Sequence, residues 1–165
     1  MVIVTKLTNN KELTGETTTE ILNYNMATNI STIKLNASLE KVWETLTNPA
    51  KVKLWQYGSD LITTLEVGSS IEFITEWEGQ IFKQWGKVLE IRPNELLKYS
   101  LFAPRPDLDD KPENYFVMNY VLTNENGRTK LEIIQEDNRL NAVQEEPQGE
   151  ENLILQSLKN IVETT

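Results

Sequence analysis

The chain has 165 residues, with 16 lysines and arginines against 25 aspartates and glutamates, a formal net charge of −9, 39% apolar residues, and neither histidine nor cysteine. That length suits one domain around one core. The missing cysteines exclude a disulfide framework, a zinc–thiolate site and a thiol nucleophile, and the missing histidines exclude a Ser-His-Asp triad within the chain. The acidic balance opposes binding to nucleic acid or to anionic lipid, since Lys51, Lys53, Lys83 and Lys87 form no basic stripe. No apolar run is long enough for a membrane span, and Met1-Val2-Ile3-Val4 is too short for a signal-peptide core. A cytoplasmic location is the expectation. The seven glycines are scattered, so no glycine-rich loop is available to cradle a phosphate, and no cofactor is expected.

Residues 1–29 stand apart as an N-terminal extension, rich in threonine and asparagine, with the run Thr17-Thr18-Thr19 and little periodicity. They read as a flexible leader in which Met1 to Leu7 can serve as an edge strand and Glu20 to Asn25 as a helical turn or a second extended piece. The extension is also the candidate contact for a homodimer or a protein partner. Met26 offers a second start. From residue 30 to 165 the chain reads as one α+β domain.

Ser31 to Asn36 alternates as a strand. Ser38 then caps a helix, because its hydroxyl accepts a bond from a free N–H of the first turn. Val42, Trp43 and Leu46 give that helix an apolar stripe. Asn48-Pro49 ends it and opens a second short helix with Val52, Leu54 and Trp55, since proline is tolerated at a first helical position.

From Leu61 onward the pattern is mostly strand. Ser69 to Trp77 alternates, with Ile71, Phe73, Thr75 and Trp77 on one face and Glu72 and Glu76 on the other. Glu78-Gly79 is a turn. Ile81 to Ile91 is a strand whose inward face stays open, because a bulge at Gly86 would switch it. Leu96 to Phe102 is the next strand. Residues 103–114, with three prolines and the acidic Asp107, Asp109 and Asp110, form a loop. These aspartates lack the spacing of a calcium loop and read as solvated.

Tyr115 to Asn124 and Arg128 to Asp137 form a hairpin around Glu125-Asn126-Gly127, with Phe116, Met118, Tyr120, Leu122, Leu131 and Ile133 inward. Glu150 to Glu163 reads as the last helix, with Leu155, Leu158 and Val162 on one stripe. Glu145, Glu146, Glu150 and Glu151 suit its positive end. A curved antiparallel sheet must bury one face, and this helix is the element long enough to cover it.

Val42-Trp43, Leu46-Thr47, Pro49 and Trp55 resemble the helical signature of the activator of heat-shock-protein-90 ATPase homologue family, within the START and birch-pollen-allergen-like (SRPBCC) superfamily. Gly86 to Pro93 resembles the family's "G-x-V-x-E-I-x-P". Leu122, Gly127, Thr129 and Leu131 resemble its late hairpin. The resemblance covers about residues 30–163. It implies a helix-grip fold, with a curved antiparallel sheet wrapped around the long C-terminal helix, two short helices after the first strand, and a cavity between sheet and helix.

The function implied is binding of a small apolar molecule, lipid-like or polyketide-like. The expected cavity residues are Trp55, Phe73, Trp77, Tyr99, Phe116, Met118, Tyr120, Leu155 and Leu158. The rival reading of the aromatic residues is a filled core. Tyr99, Tyr120, Gln135 and Arg139 are candidate polar groups inside the space, and the tyrosines either orient a ligand or bond each other. Two other functions stay open. One is a chaperone-associated or other protein-interaction module; the resemblance does not extend to the N-terminal domain of eukaryotic activators, whose motif Asn9-Asn10-Lys11 does not match. The other is a cyclase-like or hydratase-like enzyme using tyrosine and carboxylate groups. No catalytic or metal residue is assigned. Glu72, Glu76, Glu78 and Glu90 are candidate bases only if burial raises their pKa.

Overall fold

The computed structural model describes residues 26–164, together with the backbone of two earlier strands, β1 (Val2–Lys6) and β2 (Glu20–Tyr24). These two pair antiparallel with each other, Val2 opposite Tyr24, in a separate two-stranded sheet. Glu20 to Tyr24 is thus the extended alternative. Met1 and Leu7, the run Thr17-Thr18-Thr19, Asn25 and Thr165 lie outside the described residues.

The main sheet has seven strands, all antiparallel, in the order β3-β9-β8-β7-β6-β5-β4. β3 (Ala27–Leu35) leads into the helices α1 (Leu39–Thr47) and α2 (Pro49–Trp55). β4 (Asp60–Thr63), β5 (Ser70–Trp77), β6 (Gln80–Arg92), β7 (Leu96–Leu101), β8 (Phe116–Glu125) and β9 (Arg128–Asp137) follow, and α3 (Leu153–Thr164) closes the fold. β3 starts four residues before the expected Ser31. Its nine residues pair with β9 from Ala27 opposite Asp137 to Leu35 opposite Thr129, and Ala27 is buried. The outer edge of β3 is covered in turn: Thr32 N–H donates to Gln148 O at 2.9 Å and Gln148 N–H to Ile30 O at 3.0 Å, which removes an open sheet edge.

Local chemistry sets the corners. Ser38 Oγ accepts from Lys41 N–H, and Asn48 Oδ1 accepts from Ala50 N–H at 3.0 Å, so each short helix has a side-chain cap. Glu78-Gly79 and Asn126-Gly127 take positive φ, as tight two-residue hairpins demand. The bulge in β6 does not fall at Gly86. Pairing with β7 slips between Val88, opposite Tyr99, and Glu90, opposite Lys98, so Leu89 is the extra residue. Val88 and Ile91 therefore both meet the core. Gly86 has a different reason: a Cβ there would lie 1.8 Å from Ser100 O, so only glycine lets β7 pass this close.

α3 begins at Leu153, three residues later than expected. Asn152 Oδ1 accepts from Ile154 N–H at 2.9 Å and from Leu155 N–H at 3.2 Å, so Asn152 is the cap. The helix buries Leu155, Leu158 and Val162 against β3, α1 and α2. The core joins Ile33 and Leu35 of β3, Val42 and Leu46 of α1, Val52 and Trp55 of α2 and Leu131 of β9. Among the described residues no helix is long and apolar enough to cross a membrane.

A chain starting at Met26 retains all of β3 and its ladder with β9. Its melting temperature is expected within a few degrees of the full chain. A large loss in a thermal melt would show that residues 1–25 contribute to the domain.

Candidate functional site

Alternation along the strands puts rows of side chains on the concave face. One row runs Tyr99–Met118–Gln135 across β7, β8 and β9, and the next runs Leu97–Tyr120–Ile133–Ser31. α3 lies over the β3 side of this face. Over the other side a cavity of about 380 Å³ remains open. Phe73 and Gln84, opposite each other on β5 and β6, line one wall. Leu101, Phe116, Met118, Tyr120 and Ile133 line the sheet side, and the end of α2 with the start of α3 forms the roof.

Trp55 is the roof's anchor. It is buried, and its Nε1–H donates to Thr45 O at 2.9 Å, tying the end of α2 to α1. The chain then turns through Tyr57 and Gly58, both at positive φ, and Ser59 Oγ meets Thr75 Oγ1 at 2.6 Å. This turn places Gln56, Tyr57 and Ser59 at the cavity mouth, opposite Asn152 and Ile154.

Two tyrosines stand side by side in the wall. Their hydroxyls are 2.7 Å apart and their rings meet edge to face at 5.6 Å, with Phe73 packed 5.8 Å from Tyr99. Burial, with Tyr120 beside it, pushes the Tyr99 hydroxyl well above the ordinary phenol range. Burial also raises Tyr120, partly offset by hydrogen bonds from Tyr99 and Gln56. Both stay protonated at neutral pH. They can donate and accept hydrogen bonds but cannot serve as bases there.

Trp55, Phe73, Tyr99, Phe116, Met118, Tyr120 and Leu155 lie on the cavity wall. Two expected residues do not. Trp77 has the right parity, but β5 runs past the helical layer and leaves it 63% exposed near the hairpin tip, beside the exposed Phe82. Leu158, three residues beyond Leu155 on α3, is fully buried in solid core. Gln135 lines the cavity, whereas Arg139 does not. Arg139 holds Asp137 by two bonds of 2.8 Å and lies over the outer side of the site, 4.6 Å from the Phe116 ring centre. Gln56, Gln84 and Asn152 were not picked out from sequence. The parity of Gln84 with Phe82 was a signal, but that strand's face was open.

The candidate carboxylates lie elsewhere. Glu72 pairs with Lys83 at 3.0 Å and Glu90 with Arg92 at 3.5 Å. Asp107, Asp109 and Asp110 are exposed, as expected of a solvated loop, but Asp110 is also an anchor. Its carboxylate accepts from Trp85 Nε1–H at 3.0 Å and from the Tyr115 hydroxyl at 2.7 Å, pinning the 103–114 loop to β6. Among the described residues, no group of three or more aspartates or glutamates is placed to hold a metal ion.

A curved antiparallel sheet gripping a C-terminal helix, with two short helices at one end and an apolar cavity beneath them, is a helix-grip architecture. Residues 36–164 match the family model described as "Activator of Hsp90 ATPase homolog 1-like protein", and the chain belongs to that family. A solution structure from Cytophaga hutchinsonii is 34% identical, with a TM-score of 0.56 over 66% of this chain and 76% of that one. A Chromobacterium violaceum protein is 21% identical, with a TM-score of 0.62 over 82% and 96% of the two chains. The Aha1 dimer from Colwellia psychrerythraea is 19% identical, with a TM-score of 0.60 over 84% and 97%. The last two share the fold. No curated protein sequence matches the chain.

Two measurements probe this geometry. Trp55→Ala removes a buried indole and its bond to Thr45, and is expected to cost roughly 3–5 kcal/mol in a denaturant melt. Trp55→Phe, which keeps most of the volume, should cost much less. Arg139 lowers the Asp137 pKa, chiefly through its side-chain hydrogen bonds. A carboxylate with a lowered native pKa takes up its proton first in the unfolded chain. The stability it contributes is complete above the unfolded value of about 4 and is lost as pH falls through the native value. Arg139→Ala should therefore cost about 1–3 kcal/mol at neutral pH and progressively less under acid, in melts recorded across pH.

Proposed function

We propose that the chain binds a small, mainly apolar molecule in the cavity beneath Trp55. The observation that carries this reading is a cavity of about 380 Å³, open to solvent at one side, between the sheet, the end of α2 and the start of α3. Its size and its largely aromatic and aliphatic walls fit a small-molecule site. Membership in the activator family, with its helix-grip fold, agrees with it. A cyclase-like or hydratase-like activity has less support, because among the described residues the lining carries no carboxylate and the two tyrosines are held neutral. A cytoplasmic location belongs to the same reading.

A second reading is a protein-interaction module of the heat-shock-protein-90 activator type, or a homodimer, acting through residues 1–29. The family match and the self-contained β1–β2 ladder support it. The mass in solution of the full chain against that of the chain from Met26 tests it.

The binding reading has a direct test. An apolar ligand that enters should change the fluorescence of Trp55 and raise the melting temperature, because it binds only the folded state. Met118→Trp fills the space from the sheet side and should abolish that response while the protein stays folded. A panel of fatty alcohols, flavonoids and polyketides that leaves both signals unmoved would remove the reading.

A further inference from the structure

Resting on that binding reading, we infer that the cavity selects uncharged ligands: an apolar body carrying a neutral hydrogen-bonding group, a hydroxyl or a carbonyl, in preference to a carboxylate, a phosphate or an amine. The ground is the chemistry of the wall. Its polar members are serines, glutamines, one asparagine and the tyrosines, and among the described residues no lysine, arginine, aspartate or glutamate lines it. A charged group moved into such a space loses its water and gains no counter-ion, which costs far more than moving a neutral polar group that finds a hydrogen bond.

Two features near the cavity could offset that cost for an anion, and both are already engaged. Arg139 packs on Phe116, a wall residue, but its guanidinium is committed to Asp137 through Nε and Nη2, each at 2.8 Å. The pair is close to neutral as seen from the cavity. The positive end of α3 opens at the mouth, where free N–H groups would welcome an anion. There Asn152 Oδ1 takes the N–H groups of Ile154 and Leu155, and Glu150 and Glu151 stand just before it. With a net charge of −9 the long-range field also repels anions. Amines are drawn to that field outside, yet meet no carboxylate within.

The wall does offer a neutral partner. The Tyr99 and Tyr120 hydroxyls carry two protons and use one between them. The second is available to a ligand oxygen, and the hydroxyl oxygens can accept in return. Burial keeps both phenols protonated, so this donor persists through the neutral and mildly alkaline range. The amide of Gln56 lies against Tyr120, and Gln84 and Gln135 place further amides on other walls.

The test uses one apolar body with three head groups: 2-naphthol, 2-naphthoate and 2-naphthylmethylamine, titrated calorimetrically into the full chain at neutral pH and moderate salt. The expected result is 2-naphthol bound at least about tenfold more tightly than either charged analogue. Gln84→Lys places a cation on the exposed side of the wall, where it should disturb folding little. It should raise naphthoate affinity without improving that of naphthol. Naphthoate or the amine binding the unaltered chain as tightly as naphthol would overturn the charge selection and leave the binding reading standing. Loss of all three, with no response to the wider panel, would overturn the binding reading and this inference with it.

Discussion

The constraint on which the architecture depends is a mismatch of area. Seven strands spaced by about 4.8 Å present a face nearly 29 Å across. A helix of 12 residues is about 18 Å long and some 10 Å wide. It cannot cover that face alone. α3 therefore lies over the β3 side, where Leu155, Leu158 and Val162 close the core, and α1 and α2 fill one end. What remains, chiefly over β5 to β9, is the cavity. It follows from too little helix for the sheet, with no special device needed to open it.

That origin explains why Trp55 carries so much. It sits where the helical layer stops, buried below α2 and facing the open space. Its indole joins two short helices that would be marginal alone, since isolated helices of this length do not persist in water. The same side chain is thus a strut for the α1–α2 corner and a roof for the cavity. The rest of the roof is built from the turn after α2 and the capped start of α3, two irregular segments fixed by side-chain hydrogen bonds.

Charge completes the picture. Apart from Asp137, buried at the end of β9 and neutralised by Arg139, most charged residues lie on the convex face, the loops and the helix surfaces, where they pair in ion contacts such as Lys83 with Glu72 and Lys53 with Asp60. Exposed pairs of this kind contribute little stability. Their placement leaves the concave face lined by neutral groups, so hydrogen bonding there runs through hydroxyls and amides. The Tyr99 and Tyr120 hydroxyls bond each other within the wall, and among the described residues every buried side-chain nitrogen or oxygen has at least one partner.

Much of this was legible in the amino-acid order. The caps Ser38 and Asn48, the two-residue hairpins at Glu78-Gly79 and Asn126-Gly127, and the inward parity of Phe116, Met118, Tyr120, Leu122, Leu131 and Ile133 are local matters, decided within a few residues by hydrogen bonding and alternation. The family order of motifs added the helix-grip arrangement. Other features depended on contacts between distant segments. β3 begins at Ala27 because β9 extends to meet it, and the β6 bulge falls at Leu89 because β7 sets the register. Trp77 and Leu158 had the correct parity and the correct helical stripe, yet one is solvent-exposed and the other packed solid. Parity says which way a side chain points. How far the opposing helical layer reaches is set by the lengths and angles of elements far apart in the chain, and that decided which of the inward residues face open space.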